Sequence, residues 1–242
     1  MRIRIFDTPE QVGRAAAMIL GAQLLRKPDS VLGLATGSSP IPIYDALARQ
    51  YEQGVLDFSR VTTFNLDEYI GLSADHPKSY RYFMNQHLFS RVNIRREATH
   101  VPNGCAADMA AEAIAYDEAI RTAGGLDVQL LGIGRNGHIG FNEPGACFVS
   151  NCHVVDLSES TIAANARFFA SETEVPRQAI SLGIGRIMEA RRVLLVATGP
   201  SKVDAIARTV HGNITPQVQA SILQAHPDAM LLLDRAAAAG IQ

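Results

Sequence analysis

The chain has no surplus of positive charge, no long apolar run and no cysteine framework. Its 22 Lys and Arg face 24 Asp and Glu, a formal net charge of -2. Such balance argues against a dedicated binder of nucleic acid or anionic membrane, whose affinity rests on a cationic surface. It still leaves room for a small basic pocket. No stretch approaches the ~18 consecutive apolar residues of a membrane span. The N-terminus, MRIRIFDTPE, reaches Asp7 and Pro9 without the apolar core of a secretory signal. Cys105, Cys147 and Cys152 make an odd count, expected to be reduced thiols in a cytoplasmic protein. HExxH, CxxC and EF-hand spacings are missing, and Cys147-x4-Cys152-His153 lacks an evident fourth zinc ligand. There is no GxSxG nucleophile elbow either. No metal and no cofactor is expected.

What is present reads as a single α/β domain spanning residues 1–242. At a nominal ~150 residues per domain the length alone allows one domain or two. A chain of this size buries roughly 70–75% of its unfolded surface and needs no staples. With 47% hydrophobic and 19% charged residues, the composition is that of an ordinary globular protein. Apolar runs at 2–6, 31–35, 61–66, 127–133, 179–184, 192–198 and 229–234 read as strands. Helical spacing occupies 9–25, 41–53, 106–123, 201–210 and 216–224. Runs such as VLGLA, DVQLLGIG, VLLVATG and AMLLLD are apolar throughout, as suits a parallel sheet buried on both faces. Their alternation with helices predicts an open, doubly wound, Rossmann-like and mainly parallel sheet with helices on both faces. No linker or repeat interrupts it, and the irregular stretch within about 150–185 is expected to hold a lid.

Ligands of such sheets bind at the carboxyl ends of the strands, so the residues just after each strand are the candidates. After 31–35 come Thr36, Gly37, Ser38, Ser39 and Pro40. They fit either an anion cradle at a helix start or a serine-capped helix after an ordinary turn. No GK[ST] follows, so this is not a P-loop. After 61–66 come Asp67, Glu68 and Tyr69; neighbours on an extended segment point opposite ways, so at most one carboxylate faces a pocket. After 127–133 the Gly-rich loop carries Asn136, His138 and Glu143, an acid–base grouping. Its Gly132-x-Gly134-x-x-Gly137 matches a dinucleotide fingerprint only superficially, because Pro144 and Gly145 preclude the required helix. Lys202 follows 192–198, and Arg167 lies in TIAANARFF with apolar neighbours for its stem.

The motifs LATGSSP (34–40), FNLDEYIGL (64–72), HPKSYRYFM (76–84), LLGIGRNGHIGFNEPG (130–145), TIAANARFF (161–169) and SILQAHPDAMLLLD (221–234) resemble those of the glucosamine-6-phosphate isomerase/deaminase family. The likeness runs through essentially the whole chain. The sister 6-phosphogluconolactonases have a GHxASLFP-type string in place of GHIGFNEP. The resemblance implies conversion of glucosamine 6-phosphate to fructose 6-phosphate and ammonia without metal or cofactor. It implies Asp67 as the base at C2, His138 as the ring-opening group assisted by Glu143 and Asn136, and Thr36, Gly37, Ser38, Arg167 and Lys202 around the phosphate. Asn136 replaces an aspartate of the long forms; it can fix a histidine tautomer but cannot stabilise an imidazolium by charge. The end at Gln242, eight residues past Asp234, implies the short, non-allosteric subgroup and leaves the oligomeric state open. The other readings are a lactonase on the same fold, or a sugar-phosphate-sensing domain; the latter calls for a DNA-binding helix-turn-helix, and none is found.

Overall fold

The computed structural model describes residues 1–241. Among them ten strands form two sheets. β1 (Arg2–Phe6), β2 (Val31–Leu34), β3 (Thr62–Asn65), β5 (Thr99–His100), β6 (Val128–Leu131), β9 (Val193–Ala197) and β10 (Ala229–Asp234) make a parallel sheet in the order β1-β10-β9-β6-β2-β3-β5. β2, β6 and β9 are buried along their whole length, as their unbroken apolar sequences require. The expected fold class therefore holds.

Among the described residues the α-helices are α1 (Pro9–Arg26), α2 (Ile41–Glu52), α3 (Tyr80–His87), α4 (Met109–Thr122), α5 (Glu159–Asn165), α6 (Ile184–Met188) and α7 (Val203–His211). Local chemistry sets their starts. Thr8 caps α1 by accepting from Gln11 N–H, with Pro9 in the first turn, and Asp108 caps α4 through Ala110 and Ala111. Right-handed crossovers progressing from β1 through β2 to β3 put α1 and α2 together on one face, where they pack on each other. The returning crossovers put α4 and α7 on the other.

A second, antiparallel sheet has the order β4 (Asp67–Tyr69), β8 (Gln178–Ser181), β7 (His153–Asp156), with Asp67 opposite Ser181 and Tyr69 opposite Ala179. It corrects the expectation for 179–184, which joins this sheet rather than the main one. Residues 216–224 are no α-helix either; a tight bridge between Thr215 and Val218 leads into a 3-10 turn at Gln219–Ala225. The side chain of Ser221 takes the Thr215 N–H and donates to its carbonyl, so local side-chain bonds compete with the helix.

The second sheet covers a core of its own, in which Tyr69, Phe141, Val155, Leu157, Ile162, Val175 and Ala179 are buried. The stretch expected as an irregular lid thus holds β7, α5, two 3-10 turns and β8. No helix among the described residues is long and apolar enough to cross a membrane.

Candidate active site

Outward from β2 the strands run β3, β5 on one side and β6, β9, β10, β1 on the other, so the order in which the chain adds parallel strands reverses between β2 and β6. The carboxyl ends at this point are the usual ligand position in such sheets. Both flanking loops belong to the predicted clusters.

The loop after β2 is pinned by Tyr44, whose fully buried hydroxyl donates to Ala35 O at 2.5 Å. Gly37 takes φ +98° with open space where a side chain would stand. α2 starts at Pro40 with no side-chain cap, which removes the serine-capped alternative. Pro40 and Pro42 have no N–H and Ile43 N–H donates to Pro40 O at 3.0 Å, so Ile41 N–H and those of the loop before it are what the backbone offers an anion here. Thr36 is half-buried against the Tyr80 hydroxyl, and Ser38 is exposed.

After β6 the chain turns tightly: Gly137 N–H donates to Gly134 O at 3.1 Å and Gly134 N–H to His138 O at 2.9 Å. The imidazole lies across Gly134 so closely that a Cβ there would stand 2.4–2.5 Å from three ring atoms. The glycines of the false dinucleotide fingerprint thus serve the histidine. His138 Nδ1 is 3.7 Å from Glu143 Oε2, an approach short of a hydrogen bond. His138 Nδ1 and Glu143 Oε1 are both buried with no partner among the described residues. Two polar atoms held so close and unsatisfied mark where a ligand's polar groups belong.

Asn136 departs from its expected contact. Its Oδ1 accepts from the His138 backbone N–H at 3.1 Å and its Nδ2 donates to Glu143 Oε2 at 2.8 Å. It orients the carboxylate and fixes no imidazole tautomer. Burial works to raise the Glu143 carboxyl, but the His138 ring and the Thr161 and Asn136 hydrogen-bonding groups outweigh it and hold it down at about 2.

Asp67 is buried, and β4 brings it to this loop. A side-chain carbon at Gly140, which takes φ +59°, would touch Ser181 Oγ at 3.0 Å and Asp67 Oδ2 at 3.5 Å. Burial, followed by the charge of Glu68, pushes the Asp67 carboxyl up to about 8. Around it Tyr69, Tyr80, Phe141 and Phe169 form an aromatic cluster, with Tyr80 stacked on Phe141 at 5.9 Å between centroids. Glu68 points the other way and accepts the N–H groups of Tyr69, Tyr80 and Arg81 at 2.9, 2.9 and 3.0 Å, tying β4 to the start of α3. Alternation along an extended strand left that choice open; α3 decides it.

Lys202 follows β9 in a 3-10 turn, and its ammonium donates to Ile133 O at 2.6 Å, on the His138 loop. Burial, then the charges of Arg135 and Arg167, lowers it to about 8. Arg167 is exposed in the turn Ala166–Phe168, its guanidinium 4.6 Å from the Phe168 ring centre. Among the described residues none of these three cations has an acidic partner. Arg135 was missed by the sequence reading, although its place beside Asn136 in the Gly-rich loop was the available signal. No group of three or more His, Cys, Asp or Glu among the described residues is arranged to hold a metal.

Residues 8–231 match the family model for glucosamine-6-phosphate isomerases/6-phosphogluconolactonase. The glucosamine-6-phosphate deaminase of Clostridioides difficile is 50% identical over 238 residues, covering 98% of this chain and 96% of the relative. That of Halothermothrix orenii is also 50% identical, covering 98% and 99%. A solved monomeric glucosamine-6-phosphate deaminase superposes with TM-score 0.97 at 44% identity over 99% of this chain and 100% of the other. The 6-phosphogluconolactonase of Leishmania guyanensis reaches TM-score 0.79 at 21% identity over 100% and 98%, a likeness of fold alone.

Proposed function

The chain belongs to the glucosamine-6-phosphate isomerase/6-phosphogluconolactonase family, and on that premise we propose that it converts glucosamine 6-phosphate and water into fructose 6-phosphate and ammonia. It works in the cytoplasm on this small molecule, with no metal or organic cofactor. The phosphate lies at the start of α2 beside Thr36, Gly37 and Ser38, with Arg167, Lys202 and Arg135 supplying positive charge. His138 takes the proton of the anomeric hydroxyl and returns one to the ring oxygen as the pyranose opens. Glu143, held ionised by Asn136 and its surroundings, stabilises the imidazolium while it exists.

Asp67, as the carboxylate, then removes the C2 proton of the open aldehyde. The electron pair forms the C1–C2 double bond of an enolamine while the aldehyde oxygen gains the proton that the substrate's 2-ammonium group gives up. Return of the abstracted proton from Asp67 to C1 leaves an iminium at C2. Water adds to that carbon and the C–N bond breaks, giving the ketose and ammonia. One carboxylate can carry a proton between neighbouring carbons only where bulk water is kept out, which the aromatic cluster around Asp67 favours. The excursion between β7 and β8, carrying Arg167 and Phe169, serves as the cover.

The observation that carries this reading is the convergence on one loop of three groups: His138 Nδ1 and Glu143 Oε1, both buried and unpartnered, and Asp67 against Gly140. A lactonase needs no base at C2 and no second carboxylate beside the histidine. The test is ammonia release from glucosamine 6-phosphate, set against hydrolysis of 6-phosphogluconolactone. Lactone turnover without ammonia refutes the proposal.

A further inference from the structure

Opposite the His138 loop runs the segment 215–221, to which the mechanism above gives no part. Gln219 in it is 2% exposed. Its Nε2 donates to Glu143 O at 3.0 Å and to Pro216 O at 2.9 Å, and lies 3.5 Å from Cys147 O. The next residue's N–H, that of Ala220, donates to Gly137 O at 2.9 Å. Val218 fits against Gly137 so tightly that a Cβ there would meet it at 2.7 Å. Two consecutive residues thus grip the His138 loop on both sides of its reactive pair, one just before His138 and one at Glu143 itself. Ser221 Oγ closes the turn behind them by binding both Thr215 N–H and O.

A backbone carbonyl can be satisfied by water at any exposed site, so a buried glutamine committed to these carbonyls indicates that their position matters. Between the two anchored points His138 and Glu143 stand 3.7 Å apart, a separation with no direct hydrogen bond to maintain it. We propose that Gln219 is a positioning residue for ring opening, whose amide fixes the main chain at Glu143 and so sets the carboxylate against His138. It touches no substrate atom. The assignment rests on the deaminase reading above and extends it to a residue remote in sequence from every motif of the site.

The test uses the full chain and the variants Gln219→Met and Gln217→Ala. Methionine keeps the length and removes the donor. Gln217 donates from an exposed position to Gly145 O, beyond Glu143, and its alanine variant keeps wild-type turnover. In Gln219→Met, kcat for ammonia release falls at least about tenfold while KM for glucosamine 6-phosphate stays within about twofold, because the phosphate site is untouched. The most acid step of its pH profile, where Glu143 takes a proton well below the step set by Asp67, moves toward neutral pH. General loss of folded protein lowers apparent kcat but leaves that limb in place. Gln219→Asn, with its amide one methylene short, falls between the two and carries the same comparison if the methionine variant does not fold. A wild type that releases no ammonia overturns the deaminase reading and this assignment with it. An active wild type beside variants with unchanged kcat and pH profile overturns the positioning role alone.

Discussion

Replacing Gly134 by alanine isolates the placement of the imidazole from every other property of the site. The residue adopts a backbone open to alanine, since its φ lies outside the left-handed region. The new methyl would stand 2.4–2.5 Å from His138 Cε1, Nδ1 and Nε2, and no other atom is among its three nearest neighbours. The obstacle is the far end of one side chain, so the fold accommodates it by moving the ring. Restoring an ordinary contact of 3.4 Å requires a retreat of about 1 Å. A displacement of that size in a proton-transfer group costs about 10²-fold in rate, about 2.7 kcal/mol of transition-state stabilisation. Stability changes little, because alanine also restricts the unfolded chain by about 0.4–1 kcal/mol, which offsets the local strain. The assay is steady-state ammonia release, with circular dichroism to follow unfolding. The expected variant melts within about 4 °C of wild type and loses about 10²-fold in kcat. Substrate supplied largely in its acyclic form recovers most of that loss, since the displaced group serves ring opening. Wild-type turnover in a folded Gly134→Ala protein would refute the placement of His138 at the reacting atoms.

Other expectations rest on separate features. Asp67 must be ionised to accept the C2 proton, and its carboxyl is pushed up to about 8, so log kcat rises with pH up to about 8 and then levels. Asp67→Asn abolishes exchange of the C2 proton with solvent while leaving phosphate affinity intact; persistent exchange in that variant removes Asp67 from the role of base. Lys202 loses its charge as pH rises through about 8, so KM for the phosphorylated substrate increases above that pH. Lys202→Ala abolishes the increase, and Arg135→Ala raises KM about tenfold with kcat nearly constant, the scale of one hydrogen bond to a charged group. At the opposite end of the sheet, buried Asp127 accepts from Val31 N–H at 2.8 Å and pairs with Lys27 and Arg191. Asp127→Ala leaves that N–H unsatisfied, costing about 1–3 kcal/mol and lowering Tm by about 3–10 °C, with no change in KM.

The strand-end clusters were legible in the sequence because the strands that carry them are buried on both faces. Runs such as 31–35 and 127–133 are apolar without alternation, and the polar residues that follow stand out against them. The second sheet was not legible for the opposite reason. β4 is three residues, Asp67-Glu68-Tyr69, with two carboxylates, and gains strand geometry only by pairing with β8. β5 is two residues long and its contacts are tertiary. Gln219 and Ser221 sit in a stretch of helical spacing whose own side chains divert its backbone bonds. Distances between groups on different loops, such as His138 and Asp67, belong to packing and have no linear signature. Asn136 illustrates the limit: its residue type allowed a bond to the imidazole, yet its amide reaches the carboxylate seven residues on.

Pairing of the first strand with the last has a consequence for the order of events during synthesis. Arg2 lies opposite Met230 and Phe6 opposite Asp234, so β1 has no neighbour in the sheet until β10, more than 220 residues later, has left the ribosome. Until then the N-terminal strand waits beside α1 with its hydrogen-bonding edge unoccupied, a state that invites pairing with another nascent chain. The Arg at positions 2 and 4, both exposed in the finished sheet, place like charges on that waiting edge in every copy. Two such strands repel one another, so during translation β1 is protected from its own kind until β10 arrives.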